Sequence, residues 1–200
     1  IISWSFSNKK WEENVTGNTD NFEIQNPISE ELSCLRQTLL GGLLNIVNKN
    51  NNKDRQNISI FEIGPVFTGI YPGEQKDRLT IIRSGKAIDK NWTTDNRNYD
   101  VFDIKSDLVS LLRLLKIPLD KIKIKNENNN FFHPGKSCSV YFSELKIASF
   151  GEIHPNVSKS FKIKNAVIIL EVYISEILEN IKKRIKTKNK FFESNFQHSV

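Results

Sequence analysis

Apolar and polar positions alternate with period two over Ile1–Ser7 (Ile2, Trp4, Phe6), which predicts a strand. The stretch 8–21 is polar, with Trp11 as its one large apolar residue after the lysines, and fits a solvated helix or a loop. Asn26-Pro27 marks a turn, after which Leu32, Leu35, Leu39, Leu40, Leu43, Leu44 and Val47 recur at helical spacing. Thr38 is a candidate N-cap for the second part of that run, and Gly41-Gly42 weaken its middle. Ile58–Phe67 is the most strand-like segment. Its apolar residues on both faces point to a central position, yet Pro65 lacks a ladder donor and calls for a bulge or an edge. A second strand is expected over Leu79–Ser84, ending at Gly85.

Ile104, Leu108, Leu111, Leu112 and Leu115 form one apolar stripe, predicting an amphipathic helix opened by Asp103 and closed before Pro118. Ser137–Phe142 and Lys146–Phe150 read as a hairpin around Ser143-Glu144-Leu145. His154-Pro155 starts a short helical turn through Phe161, Ala166–Tyr173 reads as a strand, and Ile174–Ile185 as a helix. Strands and helices mix without a βαβ rhythm, so the expected class is α+β, an antiparallel sheet flanked by helices. There are no internal repeats.

An apolar fraction of 38% and an aromatic fraction of 10% over 200 residues place the chain in the globular class. No apolar run approaches the roughly 18 residues of a membrane-spanning helix, and Asn8-Lys9-Lys10 follow too soon for a signal peptide, so no membrane partner is expected. The net charge of +6 has one source: Lys182, Lys183, Arg184, Lys186, Lys188 and Lys190 lie together without an acid, and the rest of the chain is balanced. That excludes a broad cationic face and leaves a local basic stripe. Cys34 and Cys138, far apart and in no metal-like spacing, read as reduced buried thiols of a cytoplasmic protein. The chain contains no Met, opens in an alternating strand and closes at Val200 without a stop signal, and is read as a piece of a longer polypeptide.

Self-contained catalytic sets are scarce. His133, His154 and His198 form no ligand pair, and the first two read as turn residues beside Pro. No phosphate-cradling glycine pattern and no Gly-x-Ser-x-Gly elbow occurs. Glu62, Asp103 and Glu171 lie in or beside apolar segments and read as strand-end or helix-cap acids rather than general bases. No catalytic residue and no metal ligand is therefore assigned.

Several segments together resemble a known family. Asn26-Pro27-Ile28-Ser29-Glu30-Glu31-Leu32-Ser33-Cys34-Leu35-Arg36-Gln37-Thr38-Leu39-Leu40-Gly41-Gly42-Leu43-Leu44 is similar to the NPxSxExSxxRxSLLxGLL stretch of the bacterial phenylalanyl-tRNA synthetase beta chain, in its C-terminal part. Ile2-Ser3-Trp4-Ser5-Phe6 resembles that family's opening strand, and Ile60-Phe61-Glu62-Ile63-Gly64-Pro65-Val66-Phe67 its lFEiGrVF strand. Tyr99–Leu108 is similar to its vDFFDlKGdve helix opening, and Phe132–Ser137 with Ile147–Asn156 to its hPGrsA…iGxlGxlHP hairpin.

The resemblance implies a class II aminoacyl-tRNA synthetase-like domain over residues 1–186. A basic linker and the start of a ferredoxin-like anticodon-binding domain would follow at 187–200, though Gln197 stands where Pro is usual. It implies a structural, pseudo-catalytic part of phenylalanine–tRNA ligase, packed against the alpha subunit in an alpha2-beta2 tetramer. The whole enzyme would use ATP, Mg2+ and tRNA(Phe), and this region would hold no cofactor. Class II adenylation uses two arginines to hold the triphosphate. Phe61–Phe67 carries none, with Pro65 at a frequent arginine position, and Leu170–Ser175 has neither the glycines nor the arginine of the second site. Each missing donor would forfeit about 3 kcal/mol of transition-state stabilisation.

Two features stay open at this level. Arg36 is either an interface or fold-fixing salt-bridge partner or a surface arginine. The stripe Lys182, Lys183, Arg184, Lys186, Lys188 is either a solvated linker or a run beside the tRNA backbone. The rival reading is a freestanding interaction or regulatory module derived from the same fold, and a third is an independent ATP-using enzyme, which the missing arginine pair disfavours.

Overall fold

The computed structural model describes residues 1–19, 22–88, 96–127 and 131–182. After a short strand β1 (Phe6–Ser7) come helix α1 (Lys9–Thr16), strand β2 (Cys34–Leu35), helix α2 (Leu40–Asn51) and the long strands β3 (Ile58–Phe67) and β4 (Gln75–Ser84). Helix α3 (Val101–Leu114), strands β5 (Ile122–Lys125), β6 (Phe132–Phe142) and β7 (Leu145–Ile153), helix α4 (Pro155–Ser160) and strand β8 (Val167–Tyr173) follow, and a helix over 174–182 runs on from β8. Six strands form one sheet in the order β3-β4-β8-β7-β6-β5, antiparallel at every pairing.

Period-two alternation in β4 and β8 gives the sheet two apolar faces. On one, Ile82, Val167 and Ile169 pack with Leu40, Leu43, Leu44 and Val47 of α2 and with Phe132 and Phe161. On the other, Leu79, Ile168, Leu170 and Val172 meet the stripe Ile104, Leu108 and Leu112 of α3 and Ile177. That is why β8 reads as a nearly unbroken apolar run: it is central and covered on both sides. The amphipathic pattern of α3 is seated as expected.

Several sequence expectations are corrected. The opening strand shrinks to Phe6–Ser7, because Ile2 and Trp4 are 99% and 74% exposed and have no sheet to join. Leu32 sits in a 3-10 turn and Leu35 in β2, so the helix begins only at Leu40, although the Thr38 hydroxyl does accept the Leu40 N–H at 3.1 Å. β3 is an edge strand, not a central one. Phe61 and Ile63 point away from the core at 56% and 59% exposure, and Pro65 lies where a missing N–H costs least. β4 starts at Gln75 rather than Leu79, since all ten of its residues pair with β3.

The cap of α3 is Asp100, whose carboxylate accepts from Phe102 N and Asp103 N. Asp103 reaches back to the Asp100 N–H at 2.9 Å as the other half of a capping box. The hairpin turn is Ser143-Glu144, both at positive φ (49° and 64°), with Leu145 already paired to Phe142. Cys34 is buried as expected, whereas Cys138 is only half-buried.

Candidate functional site

Arg36 leaves β2 beneath the edge strand, and its side chain is 5% exposed. Its Nη1 donates to Glu62 Oε1 at 2.7 Å and to Ser3 Oγ at 3.0 Å, and its Nε to the Pro65 carbonyl at 2.8 Å. Ser3 Oγ in turn lies 2.8 Å from both Glu62 oxygens. Gly64 is required here, because a Cβ at that position would overlap Arg36 Nη2. The backbone joins the same three segments: Arg36 N donates to Ser5 O at 3.1 Å, and Phe67 N to Arg36 O at 2.8 Å. One buried guanidinium thus links the N-terminal segment, β2 and β3, through residues some thirty or sixty positions apart in the chain.

Glu62 is also the first member of a polar row that the sequence conceals. Register places Glu62 of β3 opposite Thr80 of β4, Thr80 opposite Glu171 of β8, Glu171 opposite Ser149 of β7, and Ser149 opposite Ser139 of β6. All five are buried on the face that carries α1 and α2. Among the described residues the Thr80 hydroxyl has no hydrogen-bond partner. Each residue looks like an isolated polar interruption in an apolar strand; only the pairing register aligns them.

Beside this row lies a cavity of about 400 Å³. Val15 and Thr16 at the end of α1, Gln37 and Thr38 before α2, and Val66 and Thr68 at the end of β3 form part of its wall. Phe131, Arg78, Glu171 and Tyr173 complete it, so its charged lining is one arginine and one glutamate. The arginine is already committed. Its two Nη atoms grip Glu176 at 2.6 and 2.8 Å, Lys76 Nζ adds a bond to the same carboxylate at 3.1 Å, and the guanidinium stacks over Tyr173 at 4.6 Å. Burial works against ionisation of Glu176, but these cations outweigh it and hold its carboxyl below the usual range.

Glu171 is the opposite case. Burial pushes its carboxyl up, with Arg78 and a hydrogen bond from Tyr173 opposing, and among the described residues it has no salt bridge. Burial and the neighbouring Glu171 also raise Tyr173, whose hydroxyl lies 3.1 Å from Ser149 Oγ. The cavity therefore offers a buried carboxyl and an arginine neutralised by its own partner.

The remaining candidates fall elsewhere. His154 caps α4, its Nδ1 accepting from Asn156 N at 3.1 Å, and His133 Nδ1 accepts from Gly135 N at 3.1 Å, as turn residues would. Asp103 pairs with Arg97 at 2.6 Å on the surface of α3. The Cys34 thiol donates to Ser7 O at 3.2 Å, and burial first, then the charge of Glu12, pushes its pKa up to about 11, the range of an unreactive thiol. Lys182 is exposed on the helix over 174–182. Lys183, Arg184, Lys186 and Lys188 lie outside the described residues. Among the described residues no group of three or more His, Cys, Asp or Glu could hold a metal ion, and no helix is long and apolar enough to cross a membrane.

Comparison with known proteins places this geometry. Residues 1–174 match the family described as the phenylalanyl tRNA synthetase beta chain CLM domain. The chain is 35% identical over 179 residues to the phenylalanine–tRNA ligase beta subunit of Ehrlichia canis, covering 88% of this chain and 23% of that protein. It is 30% identical over 197 residues to the same subunit of Wolbachia (98% and 24% covered), and 29% identical over 193 residues to that of Neisseria meningitidis serogroup A (96% and 24%). The chain thus spans about a quarter of the length of the curated relatives it matches. Among solved structures, a pyrrolysyl-tRNA synthetase of Desulfitobacterium hafniense superimposes with a TM-score of 0.65 at 15% identity, covering 92% of this chain and 62% of that one, a likeness of fold alone.

Proposed function

Because the chain belongs to the family of phenylalanyl-tRNA synthetase beta chain CLM domains, we propose that it serves as the non-catalytic, class II synthetase-like domain of a phenylalanine–tRNA ligase beta subunit. The enzyme it serves would attach phenylalanine to tRNA(Phe) with ATP and Mg2+ in the cytoplasm, with the chemistry carried by an alpha subunit in an alpha2-beta2 assembly. In this reading the domain shapes the assembly.

The observation that carries the non-catalytic part is the sign of the cavity. A triphosphate needs uncommitted cations at its oxygens. The cavity presents Glu171, which repels phosphate, and Arg78, which is locked onto Glu176. The residues present do not fit a nucleotide there. Arg36, a fully buried arginine on this side of the sheet, is consumed by Glu62, and we assign it the fold-fixing role. The sheet edge supports a partner: Phe61 and Leu114, 56% and 78% exposed, line the groove between β3 and α3, and Ile63, 59% exposed, extends the apolar strip along β3. The basic stripe from Lys182 onward is proposed to run beside the tRNA backbone.

Co-purification tests the reading. The tagged 200-residue chain should retain the alpha subunit of its own synthetase. A chain shown to be folded by its near-ultraviolet circular dichroism that fails to retain the alpha subunit would instead favour a freestanding module of the same fold.

A further inference from the structure

The same lining that rejects a phosphate is complementary to the opposite charge. Glu171 sits in the wall of this open recess of about 400 Å³, a size that seats a small organic molecule. Its relative exposure is 8%, and the nearest cation, Arg78, is spoken for by Glu176. A carboxyl in that position carries a standing desolvation penalty that an incoming cation would relieve. Burial already holds it above the ordinary carboxylate range, the behaviour of an acid without a counter-ion.

The wall is otherwise uncharged apart from the committed Arg78: Val15, Val66 and Phe131 give it an apolar side, and Thr16, Gln37, Thr38, Thr68 and Tyr173 line the remainder.

We propose that this cavity binds a small primary ammonium ligand with an apolar body, its charge held by Glu171 and its body packed against Phe131, Val15 and Val66. The site goes beyond the scaffold role. A scaffold needs no ligand, and the co-purification above can succeed or fail without touching this claim.

The test is amide-resolved NMR titration of the 200-residue chain with 2-phenylethylamine, alongside 3-phenylpropionate, of similar shape and opposite charge, and putrescine, which lacks the apolar body. A ligand of this size should bind with Kd on the order of 1 mM, with saturable shifts at Val66, Phe131, Glu171 and Tyr173. 3-Phenylpropionate should leave these signals in place, and putrescine should bind roughly tenfold more weakly or worse. Glu171→Gln should weaken the amine by about tenfold or more while the spectrum stays dispersed. Phe131→Ala is the second variant should Glu171→Gln lose dispersion, and should weaken the amine by several-fold through loss of the apolar wall. Equal binding of the amine to a folded variant, equal binding of 3-phenylpropionate or putrescine, or no saturable shift at these residues would each overturn the proposal.

Discussion

Replacing Arg36 by Met is the most informative single change in the fold. The substitution keeps a long apolar stem and removes the charge. Four charge-assisted hydrogen bonds disappear, to Glu62 at 2.7 Å, to Pro65 O at 2.8 Å, to Ser3 Oγ at 3.0 Å and to Trp4 O at 3.4 Å. Glu62, whose side chain is 2% exposed, is then a buried anion left with the Ser3 hydroxyl at 2.8 Å and the Ser3 N–H at 3.3 Å. Removing one partner of a buried pair costs about 3–5 kcal/mol, against about 0–1 for a surface pair. Since Ser3 still partly satisfies Glu62, the lower half of that range applies, about 3–4 kcal/mol. At a urea m-value of about 2 kcal/mol/M the midpoint should fall by roughly 1.5–2 M. The double variant Arg36→Met/Glu62→Leu removes the stranded charge as well, and should recover about 1–2 kcal/mol of the loss. Equilibrium urea unfolding followed by tryptophan fluorescence and far-ultraviolet circular dichroism measures both. A single-variant loss below about 1 kcal/mol, or additive losses in the double variant, would refute a buried, coupled pair.

Further outcomes follow from the same geometry. Gly64→Ala should cost about 1–3 kcal/mol by pushing the Arg36 guanidinium aside, and markedly less in the Arg36→Met background; equal losses in both backgrounds would contradict the close approach. Glu171 has a raised pKa in the folded chain, so its protonation favours folding: that contribution is complete below the ordinary carboxylate pKa and is lost as pH rises through the folded value. Glu171→Gln should therefore gain stability relative to the parent as pH rises above the ordinary carboxylate range, by at most about 1.4 kcal/mol per pH unit, and parallel stability–pH curves would contradict this. Reversing the charges of Lys182, Lys183 and Arg184 should flatten the salt dependence of tRNA binding by the assembled ligase, whereas an unchanged slope would remove the basic stripe from the tRNA path.

How much was legible in the chain follows the physics of each signal. α3 was readable because its stripe is one-sided and its stop is a proline. β3 and β8 were readable as strands, but their places in the sheet were not: an edge strand with exposed Phe61 and Ile63 and a central strand covered twice both look apolar on two faces. Residues 1–5 misled because alternation without a partner strand is not a strand; only Phe6–Ser7 pair, with Cys34–Leu35. Arg36 was singled out by its place in a recognisable segment, yet its partner Glu62 lies 26 residues on and becomes a neighbour only when β2 packs under the sheet edge. The polar row beside the cavity was least visible. Glu171, Thr80, Ser149 and Ser139 come from four strands, and sequence shows only that each interrupts an apolar run; alignment in one row depends on register, which hairpin turns and long crossovers set together. A polar residue inside a run otherwise rich in Ile, Leu and Val was the available signal, and for Glu62 and Glu171 it was noticed without its consequence.

The central claim is that a synthetase-shaped sheet carries a cavity of the wrong charge for a nucleotide. Isothermal titration calorimetry of the 200-residue chain with ATP and Mg2+ tests it most directly. No saturable heat at millimolar nucleotide is the expected result; micromolar, magnesium-dependent binding would contradict the account.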